Sequence, residues 1–318
     1  MNKNDVIENF DFSMLYGYVK YRHNSDNDSP VVVFIADAHC NPGAQTSIMA
    51  ISEKLIEEND FRLINVEGSE GPLRIDSFRS ARDQDWVKDM VDTRFKKGEI
   101  TGPERLCIES VTKFDLIGVE DMDLYEKNHQ AMMGTYDYRN SITSWVNNLQ
   151  KGIRVLKQSQ DKEAKITSLQ ISDYEYAISL LPKFCQLMVT SHQYEAISKI
   201  RSHLEPENML SWLDKSGITE TTQDQLTRDL PKVKKLFECA HDFYECAIER
   251  DKVMLENALD NMARKNQDRC IIVAGGFHME AMHDELKKRD ISHLSILPNA
   301  LGVDGSKRYF ETMEKQAQ

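Results

Sequence analysis

The sequence contains no long run of apolar residues. A transmembrane helix needs about 20 consecutive, mostly apolar residues, and no segment of this 318-residue chain approaches that length. The first residues, MNKNDVIENFDF, also lack the apolar stretch of a secretory signal. We therefore expect a cytoplasmic protein that has no membrane partner.

A surplus of positive charge is missing as well. The chain has 40 Lys and Arg residues against 52 Asp and Glu residues, which gives a formal net charge of −12. Such a field repels a nucleic-acid backbone unless a basic patch compensates for it. The dense basic cluster PKVKK at 231–235 is short and is flanked by acidic residues. We therefore expect a small-molecule or peptide substrate and no nucleic-acid partner.

The motifs of several common sites are also absent. The six cysteines form no CxxC pair, so we expect reduced and mostly buried thiols rather than a disulfide framework. The chain has no GxxxxGK[ST] loop and no GxGxxG after a strand, which disfavours nucleotide sites of those kinds. The EGSEG segment around Ser69 lacks the glycine two residues before the serine that a nucleophile elbow requires.

What the sequence does contain is a set of short apolar runs that predict strands covered on both faces. Two amphipathic helical patterns, at 44–58 and 279–289, separate strands in strand–helix–strand units that require parallel pairing. We therefore predict an α/β fold with a mostly parallel central sheet built from βαβ units and with a large helical insertion. The predicted strands are VVVFIA at 31–36, FRLINV at 61–66, FDLIGV at 114–119, CIIVAG at 270–275 and HLSIL at 293–297.

The middle of the chain has a different pattern. From 124 to 266 it contains long amphipathic helical stretches, the last of them at 222–266 with a kink or break expected near Pro231. We predict a helical insertion at 124–266 between an N-terminal α/β half at 1–123 and a C-terminal segment at 267–318 that completes the same sheet. The long helices also offer a surface for a homo-oligomer.

Histidine and carboxylate residues follow four of the predicted strands. In open α/β sheets the ligand crevice lies outside the carboxyl ends of the strands, and neighbouring strands are about 4.8 Å apart, so these side chains should converge in one pocket. They could bind a divalent metal or act as an acid–base set. A structural alternative is a satisfied polar residue at each strand end, or a turn cap in the case of Glu67. The residues are Asp37, His39, Glu67, Glu70, Glu120 and His278.

Four short motifs, taken in order, resemble the Tiki/TraB superfamily, a group that includes erythromycin esterase-like and ChaN-like haem-binding proteins. They are IADAH at 35–39, INVEGSEG at 64–71, IERDKVM at 248–254 and AGGFH at 274–278. Their order and strand context match the family over nearly the whole chain. The chain departs from the pattern at 36–38, where Ala-Asp-Ala stands in place of the glycine or Gly-Glu pair that usually precedes the first His.

The resemblance implies a role for each matching residue. His39 and His278 would be metal ligands or acid–base residues, and Glu67 would be a ligand or a base that activates water. Arg250 would reach the same pocket from the helical insertion and stabilise an anionic substrate group or an oxyanion. Asp251 would be a packing or orienting residue.

The function that we predict from the sequence is a metal-dependent hydrolase of the peptidase or esterase type, in which a divalent metal lowers the pKa of its water. Three alternatives stay open, namely a haem- or metal-binding protein without turnover, a metal-free esterase with a His/Glu site in which His39 is the general base, and a divergent member of the family whose pocket is catalytically inactive. The predicted catalytic residues are His39, Glu67, Glu70 and Arg250, the predicted metal ligands are His39, Glu67, Glu120 and His278, and Asp37 has a secondary role.

Overall fold

Seven strands form one sheet in the computed structural model, which describes residues 3–25, 29–38, 41–136, 138–158, 168–214 and 220–299. In chain order, β1 to β7 are Gly17–His23, Val31–Asp37, Leu63–Val66, Glu70–Pro72, Asp115–Val119, Arg269–Gly275 and Ser292–Pro298. Across the sheet the order is β1-β7-β2-β6-β3-β5-β4.

The five inner strands are parallel. Strand β2 pairs with β6 and β7, and β3 pairs with β6 and β5. The edge strands β1 and β4 are antiparallel to their neighbours β7 and β5. The prediction of an α/β fold with a mostly parallel sheet and a large helical segment is therefore confirmed.

The two antiparallel edge strands were not predicted from the sequence. Strand β1, GYVKYRH, alternates between more and less buried residues, and β4 is only three residues long. Neither forms the continuous apolar run that reveals a strand buried on both faces. The apolar-run criterion therefore identifies the middle of this sheet and misses its edges.

Thirteen helices accompany the strands within the described ranges. In chain order, α1 to α13 are Lys3–Asn9, Pro42–Asn59, Asp76–Arg79, Gln84–Lys97, Gly102–Glu109, Met122–Tyr136, Arg139–Gln158, Ser168–Cys185, Ser191–Lys199, Arg201–Leu204, Pro206–Asp214, Glu220–Arg264 and His278–Lys288. None of them combines the length and the apolar content that crossing a bilayer requires.

The core lies on both faces of the sheet. Alternate residues of β2 point to opposite faces, so Val33 packs in a cluster with Ile48 of α2. Phe34 packs in a second cluster with Met254 of α12 and Met282 of α13. Because both faces are covered, the inner strands consist of almost uninterrupted apolar residues.

The chain divides into two compact units. One comprises residues 1–122 and 250–318 and contains the sheet, and the other comprises residues 123–249. Within the described ranges the second unit contains helices and no strand. The sequence-based division assigned all of 124–266 to one helical insertion. In the structure, the last helix of that range, α12, contributes residues to both units.

Helix α12 runs from Glu220 to Arg264 and continues through Pro231. The break that we expected near this proline is absent. The second unit has its own buried aromatic core, in which the Trp145 indole Nε1 donates to the Leu226 carbonyl at 3.1 Å. The unit therefore has enough apolar packing to keep the helix intact despite the hydrogen bond that proline cannot make.

The cysteines in the described part of the chain agree with the prediction of reduced thiols. None of these five cysteines forms a disulfide, and four of them are buried, namely Cys107, Cys185, Cys239 and Cys270. Burial raises the pKa of the Cys270 thiol to about 12, so this thiol is not a nucleophile at neutral pH.

Candidate active site

Two predicted site residues lie at the carboxyl ends of neighbouring strands. Glu67 follows β3 directly, and Glu120 follows β5. In the sheet register, Val66 of β3 lies beside Val273 of β6 and Gly118 of β5. The parallel strands therefore bring these two carboxylates and the end of β6 to one edge of the sheet, where open α/β sheets bind ligands.

A single guanidinium joins the two carboxylates. Arg250 of α12 donates to both oxygens of Glu120 and, through Nη2, to Glu67 Oε1 at 2.5 Å. The exposed fractions of the side chains are 4% for Arg250, 9% for Glu67 and 0% for Glu120. Burial disfavours the charge on Arg250, but Glu67 and Glu120 more than offset this effect and raise its pKa above the ordinary arginine value.

The backbone of β6 holds the second oxygen of Glu67. The amide N–H of Gly275 donates to Glu67 Oε2 at 2.5 Å, and the Glu67 amide itself donates to the Val273 carbonyl at 3.1 Å. Gly68 and Gly276, which lie beside this carboxylate in the chain and at the end of β6, are exposed. Glu67 is thus the most solvent-accessible of the three charged side chains that meet here.

His278 adds a second cation to the cluster. Its Nδ1 lies 2.5 Å from Oδ1 of Asp251, and its Nε2 lies 3.5 Å from Oε1 of Glu67. Burial opposes protonation of this ring, but the charges and hydrogen bonds of Asp251 and Glu67 outweigh it and raise the pKa of His278 to about 9. His278 is therefore an imidazolium at neutral pH.

Asp251 contacts the imidazole of His278 directly, which is the kind of contact that an orienting residue makes. Burial raises the pKa of its carboxyl, an effect that His278 and Arg250 partly offset. Its Oδ1 contacts His278, while its buried Oδ2 has no hydrogen-bond partner among the residues that the structure describes. The sequence signal for this contact is weak, namely an acidic residue next to Arg250 on a helix.

The other predicted site residues are Glu70, Asp37 and His39. Glu70 is exposed on the edge strand β4 and makes no ion pair with the cluster. Asp37, at the end of β2, accepts a hydrogen bond from Gln45, whose Oε1 in turn accepts from the Gly102 amide at 2.7 Å. His39 lies outside the described residues. The roles that we predicted for these three residues therefore stay predictions.

The described residues do not by themselves form a metal site. Among them, no three His, Cys, Asp or Glu side chains lie where they could hold a metal ion. The cation that contacts Glu67 and Glu120 is the guanidinium of Arg250. The predicted ligand set also includes His39, which the structure does not describe, so a divalent metal at this edge remains a prediction.

Comparison with known proteins gives only limited similarity. No family model matches the sequence, and no curated protein matches it. An erythromycin esterase mutant in its open conformation aligns with a TM-score of 0.33 and 13% identity, over 84% of this chain and 69% of that chain. A Bacillus cereus protein aligns with a TM-score of 0.28 and 11% identity, over 93% of this chain and 74% of that chain. These TM-scores are too low to establish a shared fold or activity.

Proposed function

We propose that this chain is a hydrolase that cleaves an ester or amide bond in a small-molecule or peptide substrate. The observation that carries the proposal is the pairing of Glu67 with His278 at the carboxyl edge of the sheet. A carboxylate and an imidazolium whose atoms lie 3.5 Å apart can exchange a proton once a substrate or water approaches. Because the pair is largely buried, its electrostatic interactions are stronger than they would be in water.

In this mechanism Glu67 and His278 share the proton transfers. Glu67 accepts a proton from water as the water oxygen adds to the substrate carbonyl carbon. His278 gives its Nε2 proton to the departing alcohol or amine as the carbonyl carbon–heteroatom bond breaks. The proton on Glu67 then passes to the neutral imidazole, which restores both groups and leaves a carboxylic acid and an alcohol or amine as products.

Arg250 and Asp251 act as positioning residues in this mechanism. Arg250 keeps Glu67 in place by contacting it together with Glu120, and Asp251 orients the His278 ring through Nδ1. This assignment differs from the role that the resemblance implies for Arg250, in which the guanidinium contacts an anionic substrate group. We assign Arg250 a positioning role because carboxylates of the protein already contact its buried guanidinium.

The proposed mechanism is metal-free, in contrast to the metal-dependent hydrolase that we predicted from the sequence. Arg250 already donates to oxygens of Glu67 and Glu120, and a metal ion bound by the same oxygens would have to displace it. Separating such a buried ion pair leaves uncompensated charges and is costly. A metal held by His39, Glu67, Glu120 and His278 is therefore the alternative that the following experiment tests.

The test is hydrolysis of a panel of p-nitrophenyl esters and chromogenic peptides, with and without EDTA. We expect activity that EDTA leaves intact, and we expect Glu67→Gln and His278→Asn each to lower kcat by about 100-fold or more, as loss of a general acid or base does. Glu57→Gln and His192→Asn remove the same chemical groups from exposed positions and should retain activity.

Three outcomes would contradict the proposal. Full activity of Glu67→Gln would eliminate this carboxylate as the base. About one metal ion per wild-type chain by plasma mass spectrometry, lost in His278→Ala together with the activity, would establish the metal-dependent alternative. A Soret band on haem addition that disappears in His278→Ala, in a protein without hydrolytic activity, would establish the binding role.

A further inference from the structure

A cavity lies at the amino ends of β3 and β5, on the opposite side of the sheet from the strand ends that carry the candidate active site. Leu63 and Asp115 pair at the start of these two strands, whereas the candidate active site lies beyond their carboxyl ends. The cavity has a volume of about 770 Å³, which is within the range of ligand sites. The residues that line this amino-edge cavity are Arg62, Arg79, Ser80, Lys113, Phe114 and Asp115.

The amino-edge cavity is positively charged in a protein whose formal net charge is −12. Three of its lining residues are cationic and one is a carboxylate. That carboxylate, Asp115, is already paired with Lys265 at 2.9 Å, and Arg62 is paired with the exposed Asp60 at 2.7 Å. Two further cations, Arg79 and Lys113, therefore determine the charge that the cavity offers to a ligand.

Arg79 and Lys113 have no carboxylate partner within the described residues. Arg79 is half-buried, and its Nη2 donates to the Ser110 carbonyl at 3.1 Å. Lys113 is exposed at the cavity. Partial burial of a guanidinium has a desolvation cost that a neutral carbonyl does not fully offset, and an anion bound between Arg79 and Lys113 would offset it.

We propose that the amino-edge cavity binds a small phosphate monoester that carries an aromatic or heterocyclic ring. A phosphate monoester has a charge of about −1.5 to −2 at neutral pH, which matches the two cations that lack a carboxylate partner. Arginine and lysine are the side chains that bind phosphate oxygens best. The half-buried ring of Phe114 forms an adjacent wall against which the ligand ring packs. This site is distinct from the proposed hydrolase site and does not depend on it.

The test is isothermal titration calorimetry of the full chain at low ionic strength with adenosine monophosphate, inorganic phosphate, adenosine and citrate. We expect adenosine monophosphate to bind most tightly, inorganic phosphate to bind more weakly and adenosine to give no measurable binding. Arg79→Gln and Lys113→Gln should each weaken adenosine monophosphate binding by about tenfold or more, as loss of a charged hydrogen bond does. Phe114→Leu should weaken binding of adenosine monophosphate but not of inorganic phosphate.

Lys88→Gln is the matched control, because it removes the same charge from an exposed position on α4 and should leave the affinity unchanged. Equal weakening in Lys88→Gln and Lys113→Gln would overturn the proposal, since only the net charge would then matter. Absence of binding by both phosphate probes, or citrate binding as tight as that of adenosine monophosphate, would also overturn it. Lys113 is exposed and makes no hydrogen bond or ion pair in the described structure, so its variant tests the site even if Arg79→Gln does not fold.

Discussion

At the scale of single residues, the charged cluster depends on Arg250. This side chain is the cation shared by Glu67 and Glu120, which lie 183 and 130 positions away in the chain. Removing one partner of a buried ion pair costs far more than removing an exposed one, because the remaining charge has neither water nor a partner. The candidate site is therefore also a determinant of stability.

Replacement of Arg250 should destabilise the fold strongly. We expect Arg250→Met to lower the free energy of unfolding by about 3–5 kcal/mol, the usual cost of breaking a buried pair. Arg264→Met, on the same helix but in an exposed pair with Asp260, should change it by less than about 1 kcal/mol. Urea denaturation of both variants measures the difference, and equal losses would refute the role of Arg250. Adding Glu120→Gln to Arg250→Met should recover part of the stability.

The protonation of His278 sets the expected pH dependence of hydrolysis. Since its pKa is raised to about 9, the proton that it donates is present at neutral pH and is lost above pH 9, where kcat/KM should fall. Asp251→Asn removes one of the charges that raise the pKa, so the alkaline limb should move to lower pH. Asp251→Glu should preserve its position more closely, and Asp242→Asn, on an exposed part of α12, should leave it unchanged. A limb that does not move in Asp251→Asn would contradict the assignment.

At the scale of elements, the edge of the sheet near the site depends on a close backbone approach. Gly118 of β5 lies opposite Gly71 of β4, and a Cβ at position 118 would come within 2.1 Å of the Ser69 carbonyl oxygen. That carbonyl accepts the backbone N–H of Glu120 at 3.0 Å. Gly118 thus allows the turn after β3 to hold the backbone that presents Glu120.

A side chain at position 118 should therefore disturb both stability and the site. We expect Gly118→Ala to lower the free energy of unfolding by about 1–3 kcal/mol, as overpacking does, and to reduce hydrolytic activity as well. Gly276→Ala is the matched control for stability, because its Cβ would meet its nearest neighbour, Ala36, at an ordinary 3.9 Å. Equal urea midpoints for the two variants would contradict this expectation, because they would show that β4 can shift away from the new Cβ without a loss of stability.

At the scale of the whole molecule, two buried histidines oppose each other in the dependence of stability on pH. Burial lowers the pKa of His293 to about 4, helped by the nearby charges of His283, His23 and Lys287 and opposed by its hydrogen bond to the Ile291 carbonyl. This ring stays neutral in the folded chain, while in the unfolded chain it is protonated below about pH 6.5. Stability therefore decreases as the pH falls from 6.5 towards 4.

His278 has the opposite effect. Its raised pKa of about 9 means that the folded chain keeps a proton that the unfolded chain loses above about pH 6.5. Its contribution to stability is complete below that pH and is lost as the pH rises to 9. We expect the melting temperature to be highest near pH ~6.5, with His293→Asn flattening the acidic limb and His278→Asn flattening the alkaline limb. Calorimetry across pH 4 to 10 tests this, and limbs unchanged in both variants would contradict it.

The whole chain also divides into two compact units, one with the sheet and one with helices. The sequence indicated that helices occupy the middle of the chain, because its apolar residues there recur at helical spacing and do not form short continuous runs. It predicted a break near Pro231 that α12 does not have. The free-energy cost of a proline within a helix is smaller than the packing energy of a long apolar helix face. The tertiary structure therefore decides whether the helix continues through Pro231.

The sequence by itself determined the inner strands of the sheet, because strands covered on both faces must be apolar throughout. It also determined that Glu67, Glu120 and His278 follow these strands, because polar residues are displaced to the ends of such strands. It did not reveal β1 and β4, whose exposed faces weaken that pattern. Only the tertiary structure decided which contacts these ionisable groups make. The contact of Arg250 with two distant carboxylates and the proton held between Asp251 and His278 arise from burial and from proximity in space, which no spacing along the chain encodes.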